Sequence, residues 1–336
     1  MCSFVLDFTP YRNDSYLMKT GYRTITFTLV IEFVVVLSRS VYSQEATDTL
    51  RKSQAVVVHN LGPNVNSKAE DFGAYIMHDG LSMYFVTRRF SSRDHFYMVK
   101  RPERDSAWGE AEYFKILNNQ DIAGGIAFDD SGRVYCATNK ETVTNNDVNI
   151  WEGRFFLGAA LNMKVLPSPV KSMRWESQPT ITRNGENLYF ASNRGSSVNA
   201  YESTVDIFVS HRSSDGNWSE PKNIGPHINF GRYNATPFIS PDGSFLFFTS
   251  GGKSDSKKKL YMASRTGPKD DDWSNAVLLP SEINSEGDNL FPMIADDGKT
   301  IYFSSNRSGG YGGYDIYEAT LPEDIQNKIF HSFPGY

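Results

Sequence analysis

Three carboxylates supply the acid–base chemistry that this chain of 336 residues could perform. Asp71, Glu176 and Asp288 come at or next to one position of a recurring sequence pattern. Paired carboxylates cleave glycosidic bonds, at separations of about 5–5.5 Å for retention and about 6.5–9.5 Å for inversion. These three residues are therefore the catalytic candidates if the protein is a carbohydrate-active hydrolase, which is the alternative function that the sequence leaves open.

Other kinds of catalytic site find little support. The sequence has no Gly-x-Ser-x-Gly elbow, His-Glu-x-x-His pair, Cys-x-x-Cys pair or phosphate-binding glycine loop. Its histidines are scattered, and the acidic run 270–272 is better explained as a solvated turn than as a calcium site. We therefore expect no metal and no cofactor, and we favour a binding protein over an enzyme.

The elements that must position these residues are five copies of one pattern. A turn glycine recurs about every 55 residues, at Gly80, Gly132, Gly185, Gly243 and Gly298. Each turn separates two runs of alternating apolar residues, which predicts a β-hairpin, and further short strands follow each hairpin. Four short strands per repeat are typical of one propeller blade. The sequence therefore predicts an all-β fold, a single β-propeller of five four-stranded antiparallel blades, with six blades less favoured.

The last repeat is completed from the other end of the chain. It ends after its third strand, at Leu321, without a fourth. The segment Gln54–Gly62 and the residues after it match the fourth-strand segment Glu220–Asn229 of the third repeat. We therefore expect the N-terminal strand to complete the fifth blade and to remove an open sheet edge, which would invite aggregation.

A ring of polar side chains is predicted at one mouth of the channel. The first strand of each blade lines the central channel, and in four repeats we expect it to start just after a polar residue, while repeat two has Ala123 there. We predict a binding site for a peptide or sugar there, beside loops 193–205 and 251–258. Its residues are Asp71, Glu176, Asn234, Asn289, Arg174, Asp288, Tyr233, Tyr311 and Tyr314, with Tyr201 nearby.

Two further elements recur, and recurrence favours a structural role. Ser-Asn-Arg ends the second strand of repeats three and five, and Asp-Ile-Phe or Asp-Ile-Tyr begins the third. We expect Arg194 to pair with Asp206, and Arg307 with Asp315, so that each pair ties the loop between the two strands.

These motifs resemble a known family of repeats. The residues Trp175–Ile224 and Asn289–Tyr317, with Ser-Asn-Arg, Trp-Ser-Glu-Pro and Gly-Gly-Tyr-Gly-Gly-Tyr-Asp-Ile-Tyr, are similar to WD40-like repeats of the Pro-Asp-Gly type. Such repeats form the propeller of the TolB translocation protein and occur in many bacterial envelope proteins. The resemblance covers about residues 54–320 and implies the propeller fold. It implies little about activity, because this fold serves unrelated functions.

The N-terminal residues predict export. A basic stretch after Met18, the apolar run Ile25–Leu37 and the residues Val41–Ser43 follow the order of a signal peptide. We therefore expect residues 1–43 to be an extension and signal peptide, with translation starting at Met18. The propeller domain is expected at 44–325 and a tail at 326–336. The apolar run is too short to span a bilayer, so no membrane span is expected in the mature chain.

The net charge and the predicted export limit which partners we expect. The net charge of −5 argues against nucleic acid. We expect an exported protein that is periplasmic, or secreted or at the cell surface, and that is a monomer. Its expected partner is an envelope protein, peptidoglycan or a glycan.

Overall fold

The computed structural model describes residues 56–115, 122–139, 148–196, 204–252 and 257–333. The predicted signal peptide and Tyr201 lie outside these described residues. In chain order the elements are β1 (Val58–Asn60), β2 (Asp71–Ile76), β3 (Ser82–Thr87), β4 (His95–Lys100), β5 (Glu112–Tyr113), β6 (Ile122–Phe128), β7 (Arg133–Thr138), β8 (Asn149–Phe156), β9 (Ala159–Val165), β10 (Glu176–Ile181), β11 (Asn187–Ser192), β12 (Asp206–His211), β13 (Lys222–Asn223), β14 (Tyr233–Ile239), β15 (Phe245–Gly251), β16 (Lys259–Ser264), β17 (Val277–Leu278), β18 (Asn289–Ile294), β19 (Thr300–Ser305), β20 (Asp315–Thr320), α1 (Glu323–Ile329) and a 3₁₀ turn at Phe330–Ser332.

The strands form five antiparallel blades in a ring, as the sequence predicted. Blades one to four contain β2–β5, β6–β9, β10–β13 and β14–β17. Blade five contains β18, β19 and β20, with β1 as its outer strand. Val58 pairs with Ala319 and Asn60 with Tyr317, so the predicted closure by the N-terminal strand is confirmed.

The hydrophobic core lies between neighbouring blades. Five clusters of buried side chains join blades one and two, two and three, three and four, four and five, and five and one. The second strand of each blade supplies fully buried aromatic rings, such as Phe85, Phe190 and Phe303. Because each cluster needs both of its blades, burial of apolar area favours the closed ring over separate sheets.

Three tryptophans lie before the fourth strands rather than in them. These strands begin four residues after Trp108, Trp218 and Trp273, at Glu112, Lys222 and Val277. Each indole packs instead under an arginine from the end of the third strand, at 4.3, 4.9 and 4.4 Å from guanidinium carbon to ring centroid. A buried indole under a cation is a stabilising cation–π contact, and it fixes the start of each outer hairpin.

The C-terminal residues pack against the ring. Ile325, Ile329 and Phe333 are buried in the cluster between blades four and five. Residue 325, where we expected the propeller domain to end, lies inside α1, and Ile329 and Phe333 follow it in the chain. No helix in the described part of the chain is long and apolar enough to cross a membrane.

Every inner strand carries a β-bulge at the same place. The pairing with the second strand shifts register in all five blades. The residue at the bulge has a positive φ, between 47° and 81°, at Gly73, Gly125, Gln178, Thr236 and Phe291. This left-handed conformation is costly for side chains other than glycine, by about 1–3 kcal/mol each. Three inner strands therefore hold a strained residue at the channel wall.

Candidate functional site

The predicted polar ring is buried inside the protein. Asp71, Glu176, Asn234 and Asn289 are each 0% exposed. They stand at or next to the start of the first strands, as expected, but their side chains point into the blade. Ala123 lies in β6, and its side chain is outside the described residues.

Serines and arginines satisfy the buried carboxylates. Glu176 accepts hydrogen bonds from the Ser172 amide at 3.1 Å and the Ser192 hydroxyl at 3.2 Å, and Arg194 lies 3.1 Å away. In blade one, Asp71 has the same environment, with Arg89 at 2.9 Å and the Ser67 hydroxyl at 2.7 Å. Each carboxylate is thus neutralised by one guanidinium within its own blade.

The arginine makes the same set of contacts in blades one, three and five. Arg89, Arg194 and Arg307 each lie over two aromatic rings of their blade, at 4.8 to 5.5 Å. Each also donates to a backbone carbonyl of the preceding connection, namely Val65, Val170 and Ile283. We call this set of contacts the arginine latch. It joins the first strand, the second strand and the incoming connection of one blade.

The predicted pairs Arg194–Asp206 and Arg307–Asp315 are therefore wrong. Arg194 turns towards Glu176, and Arg307 donates to the Asn289 side-chain oxygen at 3.1 Å. The arginine turns towards the first strand because a fully buried acceptor and unpaired carbonyls lie on that side.

The two aspartates have other partners. Asp206 accepts from the amides of Asn223 and Asn234. Asp315 accepts from the Asn60 amide at 2.8 Å and from the backbone of Tyr311 and Gly312. These aspartates do hold loop and strand backbone, but without the arginines.

The exposed side chains lie one residue earlier in the chain. Glu70, Trp175, Tyr233 and Asp288 each precede a buried ring residue and are partly exposed. Successive strand residues point to opposite sides, so this position faces away from the blade interior. Several of these side chains meet in what we call the mouth cluster, defined as Glu70, Arg88, Tyr233, Lys258, Asp288 and Tyr314.

Asp288 is the centre of the mouth cluster. It accepts a hydrogen bond from the Tyr314 hydroxyl at 3.1 Å and lies 3.2 Å from the Lys258 ammonium. The same ammonium lies 5.5 Å from the ring centroid of Tyr233. Partial burial raises the pKa of Asp288, but the amide and ammonium of Lys258 outweigh it and hold that pKa below its usual value.

The rest of the mouth cluster carries charges of both signs. Arg88 pairs with Glu70 and, at 2.7 Å, with Asp94. Burial, and then the carboxylates of Asp288 and Glu70, raise the pKa of Tyr314, so its hydroxyl stays protonated and donates. Two phenols, two acids and two cations therefore meet at this mouth.

The floor below this mouth is nearly closed. The Thr236 amide donates to Gln178, the Phe291 amide donates to Thr236, and the Phe291 ring lies 5.5 Å from Phe72. The cavity that remains among the bulged strands is about 40 Å³. A space of this size holds a few water molecules, so a larger ligand cannot enter the channel at this level.

An ionic network that we did not predict closes the opposite mouth. His78 lies 3.0 Å from Asp296 and 3.4 Å from Asp130, and Arg183 bridges the same two carboxylates. Partial burial raises the pKa of Asp296, yet His78 and Arg183 hold it below its usual value. A sequence signal existed, because all four residues stand two positions before a turn glycine.

The remaining predicted binding residues are separate from this cluster. Tyr311 is 49% exposed on the loop between β19 and β20. Arg174 is partly buried next to Trp175, and its amide donates to Ser172. Within the acidic run, Asp270 pairs with His211 and Lys222. Among the described residues, no three His, Cys, Asp or Glu side chains are grouped as a metal site.

Comparison with known proteins supports the fold. No family model matches the sequence, and no curated protein matches it. Among solved structures, an α-L-arabinofuranosidase catalytic domain from Coprinopsis cinerea is 12% identical, with 81% of this chain and 98% of that chain covered and a TM-score of 0.53. The chain folds as a five-bladed β-propeller. At such identity, the likeness is evidence for the fold alone.

Two further solved structures are similar. An endo-arabinase from Bacteroides thetaiotaomicron is 16% identical, with coverage of 77% of this chain and 95% of that chain and a TM-score of 0.50. TolB from Acinetobacter baumannii is 15% identical, with coverage of 78% of this chain and a TM-score of 0.48. The chain spans 56% of the length of that TolB chain.

Proposed function

We propose that this protein is an exported, non-catalytic interaction propeller. It binds a protein, peptidoglycan or glycan partner through the mouth cluster and the loops of the same face. The observation that carries this proposal is a difference in burial between two sets of polar residues at this mouth of the channel. The polar residues that recur between blades are buried and bonded within the protein, whereas the non-recurring mouth cluster is partly exposed.

Large exposed apolar side chains on the same face support a macromolecular partner. Phe90, Met173, Phe230 and Tyr311 are 78%, 93%, 50% and 49% exposed. All four lie on connections that follow a second strand or precede a first strand, so the topology places them at the end of the blades that carries the mouth cluster. Exposed apolar and aromatic side chains around a polar centre are typical of interaction surfaces.

The closed channel also favours binding at the surface. The floor formed by Gln178, Thr236 and Phe291 leaves only the small cavity described above. At the opposite mouth, Arg183 of blade three reaches Asp296 of blade five, and this ion pair bridges two blades that are not neighbours. A partner must therefore bind on the face and not thread through the ring.

The hydrolase alternative gains no support from the carboxylates. Burial raises the pKa of Glu176, against the effects of Ser172 and Arg194, but the side chain has no exposed surface. Asp71 is equally buried, and the hydrogen-bonding partners of both are serines and arginines. Asp288 is the one of the three catalytic candidates that is partly exposed, and its lowered pKa does not suit a general acid. We therefore do not propose catalysis.

Partner capture tests the proposal. The mature wild-type protein, immobilised, is expected to retain a partner from envelope extract or from a glycan array. Phe90→Ala and Asp288→Asn should each weaken capture about tenfold, since a truncated anchor or a lost polar contact costs 1 to 2 kcal/mol or more. Phe156→Ala is the matched control, because Phe156 is 64% exposed at the end of β8 on the opposite face. Loss of capture in the control alone would place the binding surface elsewhere.

Export is tested separately. The proposal rests on the signal-peptide pattern of residues 1–43. Mass spectrometry of the native protein should find an N-terminus at or near Gln44 in the envelope fraction. A cytoplasmic protein that keeps Met1 or Met18 would contradict export.

A further inference from the structure

Phe291 combines a bulky side chain with a strained backbone at the channel wall. It is the bulge residue of blade five, and its φ of 52° is left-handed. The bulge positions of blades one and two hold Gly73 and Gly125, and glycine adopts this conformation readily. A bulky residue rarely does. Such strain persists only where the surrounding structure holds it, and it concentrates at functional sites, so the neighbours of Phe291 need an explanation.

Glycines of two other blades leave room for the Phe291 ring. A β-carbon at Gly73 of blade one would lie 3.4 Å from this ring, and one at Gly124 of blade two would lie 3.6 Å from it. Because blade one lies between blades five and two, the ring reaches across the channel. The ring of Phe72 lies 5.5 Å away, and the Phe291 amide donates to Thr236 at 3.1 Å. Contacts from blades one, two and four therefore hold the strained residue.

The Phe291 ring is tilted towards the mouth cluster. Its neighbours Phe72 and Gly124 each stand one residue before the bulge of their strand, on the side of this mouth. Phe291 and Tyr314 pack on the same hydrophobic cluster, which contains Phe72, and Tyr314 donates to Asp288. Phe72 is 8% exposed, whereas Phe291 is partly exposed. Phe291 is therefore the more accessible ring in the floor of the mouth.

The mouth cluster surrounds this floor with polar groups whose charges are balanced. Glu70 pairs with Arg88, and Asp288 pairs with Lys258. Each of these four charges thus has a counter-charge, so the cluster does not select a ligand by net charge. All four side chains are partly exposed, and carboxylates, ammonium and guanidinium groups can each form several hydrogen bonds. The mouth therefore combines an aromatic floor with a rim of hydrogen-bonding groups.

This combination fits a neutral sugar better than an apolar side chain. A pyranose has a face of C–H bonds that packs on an aromatic ring, and hydroxyl groups around its edge that need donors and acceptors. An apolar side chain of a protein partner would remove water from the polar rim without replacing its hydrogen bonds, which is costly. A charged ligand would meet equal numbers of like and opposite charges. Both surfaces of a neutral sugar, in contrast, find a complementary surface here.

We propose that Phe291 is a specificity-determining residue of the mouth, and that its ring stacks against a neutral pyranose ring of a glycan partner. The hydroxyl groups of this sugar hydrogen-bond to Asp288 and the rest of the mouth cluster. This inference rests on the binding function proposed for the same face, and it narrows the partner to a neutral glycan. It also gives the strained backbone a role, because the left-handed conformation accompanies a ring that extends across the channel.

An array of neutral oligosaccharides, including chitotriose, cellotriose, xylotriose and arabinotriose, tests this site with the mature protein, and trigalacturonic acid is the charged comparison. At least one neutral oligosaccharide should bind, and more tightly than trigalacturonic acid. Phe291→Leu should weaken its binding about tenfold, because leucine keeps an apolar side chain but has no flat ring. Asp288→Asn should also weaken it. Thermal unfolding checks that each variant is folded.

Phe238→Leu is the matched control. Phe238 is also a partly exposed aromatic residue of an inner strand, but it lines the small cavity below the floor and stacks on Phe333 at 6.5 Å. The same substitution at this position should leave sugar binding unchanged.

Nuclear magnetic resonance of the wild-type protein gives an arm that needs no stable variant. In protein deuterated everywhere except its phenylalanine rings, nuclear Overhauser contacts should join one ring to C–H protons on one face of the bound sugar. Those sugar protons should shift upfield because they lie over the ring. A bound sugar without contacts to a phenylalanine ring would overturn the inference.

The outcomes separate this inference from the function on which it rests. The inference is overturned if no neutral oligosaccharide binds, if Phe291→Leu binds as the wild type does or if Phe238→Leu weakens binding equally. If Asp288→Asn weakens sugar binding and Phe291→Leu does not, the mouth cluster keeps its proposed function and only the role of Phe291 fails. Capture of a protein through Asp288, with no glycan bound, has the same consequence. A protein that retains neither kind of partner contradicts both proposals.

Discussion

The buried ring residues Asp71, Asn234 and Asn289 each directly follow a residue of the mouth cluster, but the ring residues are fully buried and those of the mouth cluster are partly exposed. Glu176 and Asn289 are fully buried, and arginine latches hold them. Tyr233 and Asp288, each just before a buried ring residue, are partly exposed. The recurring residue builds the blade and the variable one faces outward. In a propeller, recurrence between blades therefore marks structure, and departures from it mark candidate sites.

The largest predicted effect is on the arginine latch. Arg194→Ala should lower the free energy of unfolding by about 3–5 kcal/mol, because it leaves Glu176 as an uncompensated buried charge. Urea unfolding measures the change. Lys258→Ala is the matched control at the mouth, where loss of a partly exposed partner of Asp288 should cost about 1 kcal/mol or less. If Arg194→Ala and Lys258→Ala lowered the free energy of unfolding equally, the buried polar ring and the mouth cluster would not differ in their contribution to stability.

A smaller loss is expected at Asp315. Its side chain is 1% exposed and accepts from Asn60, Tyr311 and Gly312. Asp315→Ala should therefore lower the free energy of unfolding by about 1–3 kcal/mol, because it strands buried donors. Partner capture through the mouth cluster should persist at temperatures where the variant is folded. Full stability with complete loss of capture would instead make Asp315 a functional residue.

Glu176 in the buried ring and Asp288 in the mouth cluster should make the stability of the protein depend on pH in opposite directions. The raised pKa of Glu176 means that the folded state binds its proton more tightly than the unfolded state. The contribution of Glu176 to the free energy of unfolding is therefore complete below the pKa of about 4.3 that this side chain has in the unfolded state. It is lost as pH rises through the pKa of the folded state. The lowered pKa of Asp288 gives the reverse dependence. Its contribution to stability is present above the unfolded pKa of about 3.9 and is lost as pH falls through the folded pKa.

Denaturant unfolding at several pH values compares Glu176→Gln and Asp288→Asn with the wild type. The difference in the free energy of unfolding between the wild type and Glu176→Gln should shrink as pH rises. The corresponding difference between the wild type and Asp288→Asn should grow. The same slope for both variants would contradict the assignment of one acid as buried and the other as exposed.

The sequence predicted the fold because one pattern is repeated five times. The turn glycines and alternating apolar runs identified the hairpins, and the match of Gln54–Gly62 to Glu220–Asn229 predicted the closing strand. It did not indicate which of two successive residues, such as Asp288 or Asn289, faces outward. That choice depends on strand register at the channel, where a bulge interrupts every inner strand.

Side-chain partners were harder to predict than strands. Arg194 and Asp206 are close in the sequence, yet Arg194 reaches Glu176, which is 18 residues earlier and lies on the neighbouring strand. The network of His78, Asp130, Arg183 and Asp296 joins four blades. Such pairings depend on the closed ring, and the spacing of residues within one repeat does not show them.

The most direct test of the central claim measures binding and stability on the same two variants, Asp288→Asn in the mouth cluster and Glu176→Gln in the buried ring. We predict that Asp288→Asn weakens binding of the captured partner about tenfold and leaves the unfolding transition nearly unchanged. We predict that Glu176→Gln shifts the unfolding transition and binds the partner with wild-type affinity while folded. Wild-type affinity in Asp288→Asn, together with lost affinity in folded Glu176→Gln, would contradict the account.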